Sequence, residues 1–168
     1  MPALDPKIRV AALGAGMKKP ERRVAMHFFN PAPLMALVEV VMGLAISKAV
    51  AVADTVHAKA TAWGKKPVYA TSTPGFIVNR VARPFYAESL RLLQEQATDA
   101  ATLDAIVREA GQFPMGAFEL ADLIDHDINY AVTNSVFNSY FQNSYAEDRY
   151  RPALLLRKNA FAQKGFYS

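Results

Sequence analysis

The residues of this chain best suited to proton chemistry are His27 and Glu39, joined by a segment that favours a tight return. His27-Phe28-Phe29-Asn30-Pro31-Ala32-Pro33 leads through Leu34 to Val38 into Glu39. The residue before each proline is pushed toward extended geometry and each ring fixes its own φ, so the connection is pinned. A strand, a proline-fixed turn and a second strand would bring imidazole and carboxylate together across twelve residues. A histidine whose second nitrogen is held by a carboxylate has its tautomer and ring angle set and becomes a better proton acceptor. Spacing does not show contact, and a core histidine satisfied by backbone beside a solvated glutamate is the commoner outcome of such a pattern.

A second candidate is the run Ser72-Thr73-Pro74-Gly75-Phe76-Ile77-Val78-Asn79-Arg80. It puts a helix N-terminus and an amide side chain about one turn apart. Gly75 permits close backbone approach, the helix dipole favours an oxyanion, and Asn79 can donate to a carbonyl while accepting from a hydroxyl. A capped core helix satisfies the same residues. His57 falls mid-helix and His126 in an Asp-His-Asp turn, with no third ligand at metal spacing, so no metal is expected. Phe137 and Phe141, flanked by Tyr130, Tyr140 and Tyr145, read as core or dimer surface before a cofactor box. Ile8 to Gly16 looks like the first strand and first two glycines of a dinucleotide fold. The third glycine position is Lys19, followed by Pro20, and only ten residues separate Gly16 from His27, too few for the helix that would hold a pyrophosphate. An ordinary turn is the simpler reading.

Hydrophobic period and punctuation divide the elements near Thr73. Before it, short apolar runs at Ile8–Leu13, Val24–Phe29, Leu37–Val41 and Val68–Ala70 read as buried strands cut by Gly and Pro. Ser47 to Trp63 is Ala- and Val-rich and ends at Gly64, suited to the left-handed position after a helix. After it the period is helical. Thr73 is the expected N-cap, with Pro74 at the first helical position, for a helix running to about Gln96. Thr98 or Asp99 opens another that stops at Gly111, and further helices are expected at Gly116–Ile124, Asp127–Asn143 and Pro152 to about Asn159.

Composition bounds the rest. With 168 residues, 52% hydrophobic and 20% charged, the chain can bury a real core and is not disordered. A net charge of +4 and a pI near 9.4 favour anionic partners without demanding nucleic acid. The absence of cysteine removes disulfides, thiolate nucleophiles and Cys-ligated metals, and makes a reducing cytoplasm the expected location. The longest uncharged stretch, Ile128 to Ala146, carries nine Asn, Ser, Thr and Gln in 19 residues and cannot span a membrane. No secretory signal is read at the N-terminus.

His27-Phe28-Phe29-Asn30-Pro31, Leu37-Val38-Glu39-Val40, the Thr73 to Arg80 run and Pro114-Met115-Gly116-Ala117-Phe118-Glu119-Leu120 resemble, in order and spacing, the 3-hydroxyacyl-CoA dehydrogenases. The resemblance covers roughly residues 12–157. It implies an L-3-hydroxyacyl-CoA oxidised to the 3-ketoacyl-CoA with NAD as hydride acceptor. On that likeness His27 takes the hydroxyl proton, Glu39 orients and supports His27, and Asn79 positions the substrate oxygens. The resemblance further implies a homodimer built through the helical unit. Lys18, Lys19, Arg22 and Arg23 could meet the CoA phosphates, although a solvated basic turn is the commoner role.

The departures from the family pattern are equally specific. The family opens with a full dinucleotide-binding domain, whereas 26 residues precede His27 here, fewer than the roughly 30 of one βαβ unit. No residue can be carried over for the family's active-site Ser. Ala117 stands where the family usually has Pro and Asp125 where it usually has Gly, and Lys164-Gly165-Phe166-Tyr167 echoes its C-terminal Gly-Phe-Tyr. The expected fold is therefore an α/β remnant of a dinucleotide-binding sheet over residues 1–73 followed by an all-α domain over 74–168, α+β overall and predominantly helical.

Three functions follow from these readings. One is the C-terminal portion of a dehydrogenase of fatty acid β-oxidation type, completed by a separate NAD-binding chain or domain. Another is a non-catalytic module that dimerises or binds acyl-CoA. The last is a small free-standing dehydrogenase using Gly14 and Gly16. The first two share the expectation that the strands around Val24 and Val38 have an apolar edge covered by another chain or by Met1–Lys19.

Overall fold

The computed structural model describes residues 23–43, 46–140, 149–162 and 164–167. The strand expected at Ile8–Leu13, with Gly14, Gly16, Lys18, Lys19 and Arg22, lies outside the described residues, as do Phe141 and Tyr145. The chain divides into two compact units, Met1–Ile77 and Val78–Ser168.

In the first unit, β1 (Val24–Phe28), β2 (Leu37–Met42), α1 (Ile46–Ala62) and β3 (Lys66–Thr71) follow one another. The sheet order is β1-β2-β3, with β1 antiparallel and β3 parallel to β2. A parallel pair needs a crossover, and α1 supplies it. On the central strand Val38, Val40 and Val41 have no solvent exposure, as expected of a strand covered on both faces. Ala53 and Ala60 of α1 are equally buried. Gly64 adopts φ 76° just beyond α1, the left-handed position that ends a helix without a Cβ penalty.

The β1–β2 connection is held from several sides. The Asn30–Pro31 peptide is cis, and the Leu34 and Met35 N–H groups both donate to the Pro31 carbonyl at 3.0 Å. Lys65 Nζ, arriving from the α1–β3 connection, donates to the carbonyls of Ala32 at 2.7 Å, Pro33 at 3.1 Å and Met35 at 2.9 Å. The three donors of one ammonium thus close the turn separating His27 from Glu39.

One sequence expectation is corrected next to this sheet. Pro74 does not start a helix. Gly75 and Phe76 take φ of 76° and 46°, a left-handed excursion that a right-handed helix cannot contain, and the helix begins four residues later at Val78.

The second unit contains α2 (Val78–Gln94), α3 (Ala100–Glu109), α4 (Ala117–Ile124), α5 (His126–Tyr140) and α6 (Leu154–Ala162). Tyr86, Leu90, Leu103, Phe118, Ala121 and Leu156 form its core. Asp99 caps α3, its carboxylate accepting from the Thr102 N–H at 2.9 Å. Past α3 the left-handed residue is Gln112, φ 56°, and not Gly111. Asp104, fully buried on α3, accepts from the Phe118 and Glu119 N–H groups at 3.0 and 2.9 Å. A carboxylate from a neighbouring helix therefore serves the N-terminus of α4, and a Cβ at Gly116 would overlap it.

The C-terminal residues clasp this unit through two carboxylates. Tyr167 Oη donates to Asp104 at 2.8 Å. Asp122 accepts from the N–H groups of Phe166 and Tyr167 and contacts His126 Nε2 at 2.7 Å. The Phe166 ring packs on Phe118 and on the buried His126.

Asp125, between α4 and α5, has φ 76°, a backbone conformation that glycine adopts without a Cβ penalty. Asp125→Gly should therefore raise stability by about 1 kcal/mol, since a strained left-handed backbone is relieved. A shift of the urea midpoint checks it. The clasp should also be acid-labile. Burial pushes the Asp122 carboxyl up, but hydrogen bonds from the Phe166 N–H, the His126 ring and the Tyr167 N–H outweigh it and hold the group below its ordinary 3.8. A lowered carboxylate stabilises fully above its unfolded value and loses that contribution as pH falls through the lower folded one. Exchange of the Phe166 and Tyr167 amides, followed by NMR, should gain protection-loss below about pH 4, and Asp122→Asn should diminish that step.

Candidate active site

His27 on β1 and Glu39 on β2 are register partners. Directly opposed residues of an antiparallel pair share a face with Cβ atoms about 5 Å apart, close enough for an imidazole to meet a carboxylate. His27 Nδ1 lies 2.7 Å from Glu39 Oε2. The Glu39 side chain is 0% exposed and that of His27 24%, so the acid is sealed from water while the ring keeps an outlet.

Both Glu39 oxygens act as acceptors. Oε2 receives His27, and Oε1 receives the Ile77 N–H at 2.9 Å. Because an ionised carboxylate only accepts, Nδ1 carries the ring proton and Nε2 the lone pair. The ring plane is fixed by edge contacts with Phe29 at 4.8 Å and Phe76 at 5.3 Å. Phe76 holds its positive φ at a cost of order 1–2 kcal/mol, and it is retained by this ring contact and by packing against the cluster of Val41 and Ala70. The arrangement is a buried acid, an oriented imidazole and one ring nitrogen left to accept a proton from a hydroxyl.

The other sequence candidates distribute as follows. Asn79 lies half-buried in the first turn of α2, in the second unit. His57 stacks on Tyr69 at 4.8 Å. His126 is buried against Asp122. Phe137 packs beside Val136 and Tyr150. No group of three His, Asp or Glu side chains among the described residues could hold a metal ion.

A dinucleotide needs glycines at a strand-to-helix turn so that the pyrophosphate can approach a helix N-terminus. Where β2 leads to α1 the sequence is Gly43-Leu44-Ala45, with a single glycine. The described residues do not furnish such a site.

Sequence reasoning missed the Ile77 N–H, the Phe76 wedge and the Lys65 tether. Gly75 beside Phe76 was the available sign of a left-handed turn. Lys65 offered none, because a lysine after a helix is ordinary.

Comparison with known proteins bears on this geometry. Residues 75–166 match the 3-hydroxyacyl-CoA dehydrogenase, C-terminal domain, and residues 6–73 the 3-hydroxyacyl-CoA dehydrogenase, NAD binding domain. The chain is 51% identical over 148 residues to the 3-hydroxyadipyl-CoA dehydrogenase of Escherichia coli (strain K12), covering 88% of this chain and 30% of that protein. It is 31% identical over 165 residues to the 3-hydroxybutyryl-CoA dehydrogenase of Clostridioides difficile, covering 95% of this chain and 57% of that protein. The crystal structure of 3-hydroxybutyryl-CoA dehydrogenase from Escherichia coli K12 substr. MG1655 superposes with a TM-score of 0.88 at 45% identity, over 96% of this chain and 34% of that one. The chain thus spans between 30% and 57% of the length of these relatives.

The paired geometry has a spectroscopic consequence. The neutral His27 ring should show a single tautomer by 15N NMR, protonated at Nδ1. Glu39→Gln should mix the two tautomers and speed exchange of the Ile77 amide about tenfold, the loss of roughly one charge-assisted hydrogen bond.

Proposed function

The chain belongs to the 3-hydroxyacyl-CoA dehydrogenase family, and from that membership we propose that it carries the proton-accepting half of an NAD-dependent oxidation of L-3-hydroxyacyl-CoA to 3-ketoacyl-CoA. The observation that carries this reading is the 2.7 Å contact of His27 Nδ1 with a wholly buried Glu39. His27 Nε2 takes the proton of the substrate 3-hydroxyl. Glu39 holds the tautomer beforehand and balances the imidazolium afterwards, in surroundings where a charge pair is worth more than in water. Asn79 positions the substrate oxygens as an amide that both donates and accepts.

In this reading residues 1–73 are the closing part of the NAD-binding domain and residues 74–168 the helical C-terminal domain. NAD is the family's cofactor and supplies the hydride acceptor when bound. With no dinucleotide turn among the described residues, a partner chain or domain provides that site. The helical unit is the dimer-forming part, supported by the exposed apolar side chains of Val81, Leu123, Leu154 and Phe161. No helix among the described residues is long and apolar enough to cross a membrane, and the lack of cysteine favours a cytoplasmic setting. The substrate is an acyl-CoA of fatty acid β-oxidation type. The relative at 51% identity is named for 3-hydroxyadipyl-CoA, and on that likeness the acyl chain here is one that ends in a carboxylate.

The test is NADH production from a 3-hydroxyacyl-CoA by this chain with a separately expressed NAD-binding domain of the family. Activity should arise in the mixture, fall about 10²–10⁴-fold in His27→Ala, the usual share of a general base, and fall less in Glu39→Gln. NADH from no mixture would leave a non-catalytic module that dimerises or binds acyl-CoA.

A further inference from the structure

Arg83 is a cation taken almost wholly out of water, at 5% exposure, with no ion pair to any described acid. Its Nη1 gathers three neutral acceptors, Asn129 Oδ1 at 2.6 Å, Thr133 Oγ1 at 2.9 Å and the Asn129 carbonyl at 3.2 Å. The guanidinium carbon lies 4.8 Å from the centre of the Tyr86 ring. By contrast Arg83 Nε and Asn129 Nδ2, both buried, have no hydrogen-bond partner. Nε belongs to the side-on edge with which arginine grips a carboxylate through two parallel hydrogen bonds. Buried donors without acceptors are costly, and a charged one most of all. Burial lowers the guanidinium pKa, with Tyr86 only partly opposing, so a nearby anion would relieve a standing penalty.

The position of Arg83 says which anion. Asn79 and Arg83 both lie on α2, four residues apart, and so share a helix face about 6 Å apart along the axis. If Asn79 holds the oxygens at the thioester end, a six-carbon acyl chain places its terminal carboxylate five carbon–carbon bonds beyond the thioester carbon, about 6 Å further on when extended. That lies within the reach of an arginine one turn along. Contact requires the guanidinium to turn its Nε edge outward, which anchoring through a single nitrogen permits.

We propose that Arg83, assisted by Asn129 Nδ2, binds the terminal carboxylate of the acyl chain and makes this protein selective for dicarboxylic over unsubstituted acyl-CoA thioesters. This rests on the acyl-CoA reading given above and assigns its specificity to a named side chain.

Calorimetry with adipyl-CoA and hexanoyl-CoA, which share a chain length and differ in the terminal group, tests it on the chain as it stands. The wild type should bind adipyl-CoA about tenfold or more tighter, the worth of one charge-assisted pair. Arg83→Met should bind both alike, with its hexanoyl-CoA affinity kept. Equal binding of the two by the wild type, or a preference that survives in Arg83→Met, overturns the assignment and leaves the acyl-CoA reading standing. Binding of neither thioester overturns both. A readout that needs no variant is the Arg83 Nε–H resonance in 15N-labelled wild type. It should shift with adipyl-CoA and stay in place with hexanoyl-CoA, and an unmoved resonance at saturating adipyl-CoA means that Arg83 is only a packed structural cation.

Discussion

A carboxylate with no access to water must have its oxygens answered by donors, and Glu39 is the point at which that demand organises the first unit. One oxygen takes the imidazole of the opposing strand and the other takes the Ile77 N–H. Satisfying the buried acid therefore fixes the register of β1 on β2 and the place of the turn that precedes α2 in sequence. The same two hydrogen bonds set which nitrogen of His27 is left to do chemistry. Structural and chemical roles are inseparable here, because the group that pays for burying the charge is also the group whose tautomer matters.

The surroundings are arranged so that this pair is not disturbed. The turn between the two residues is closed by an ammonium on three carbonyls, and the ring is wedged by Phe29 and Phe76. Phe76 is kept in a conformation usually left to glycine because its ring has contacts on both the imidazole and the small core of Val41 and Ala70.

The second unit applies the same rule with different residues. Asp104 and Asp122 are answered by backbone N–H groups of α4 and of the C-terminal residues, which converts two acids into local fasteners. Arg83 breaks the pattern. Its acceptors are neutral and crowd onto one nitrogen, and among the described residues no carboxylate pairs with its charge.

The amino-acid sequence by itself was enough to place strands at Val24, Leu37 and Val68, the helix ending at Gly64 and the change to helices near Thr73, whereas spacing left the pairing of His27 with Glu39 open and only the likeness of four motifs suggested it. Those features are local in origin: apolar period, Gly and Pro geometry, and residue types in a fixed order. Only the tertiary structure decided that α2 starts at Val78, that Lys65 closes the turn, that Asp104 serves α4 and that Arg83 is buried on neutral acceptors. Each of these depends on a contact between residues far apart in the chain, or on a backbone angle enforced by such a contact, and no window of neighbouring residues contains the energy that selects it.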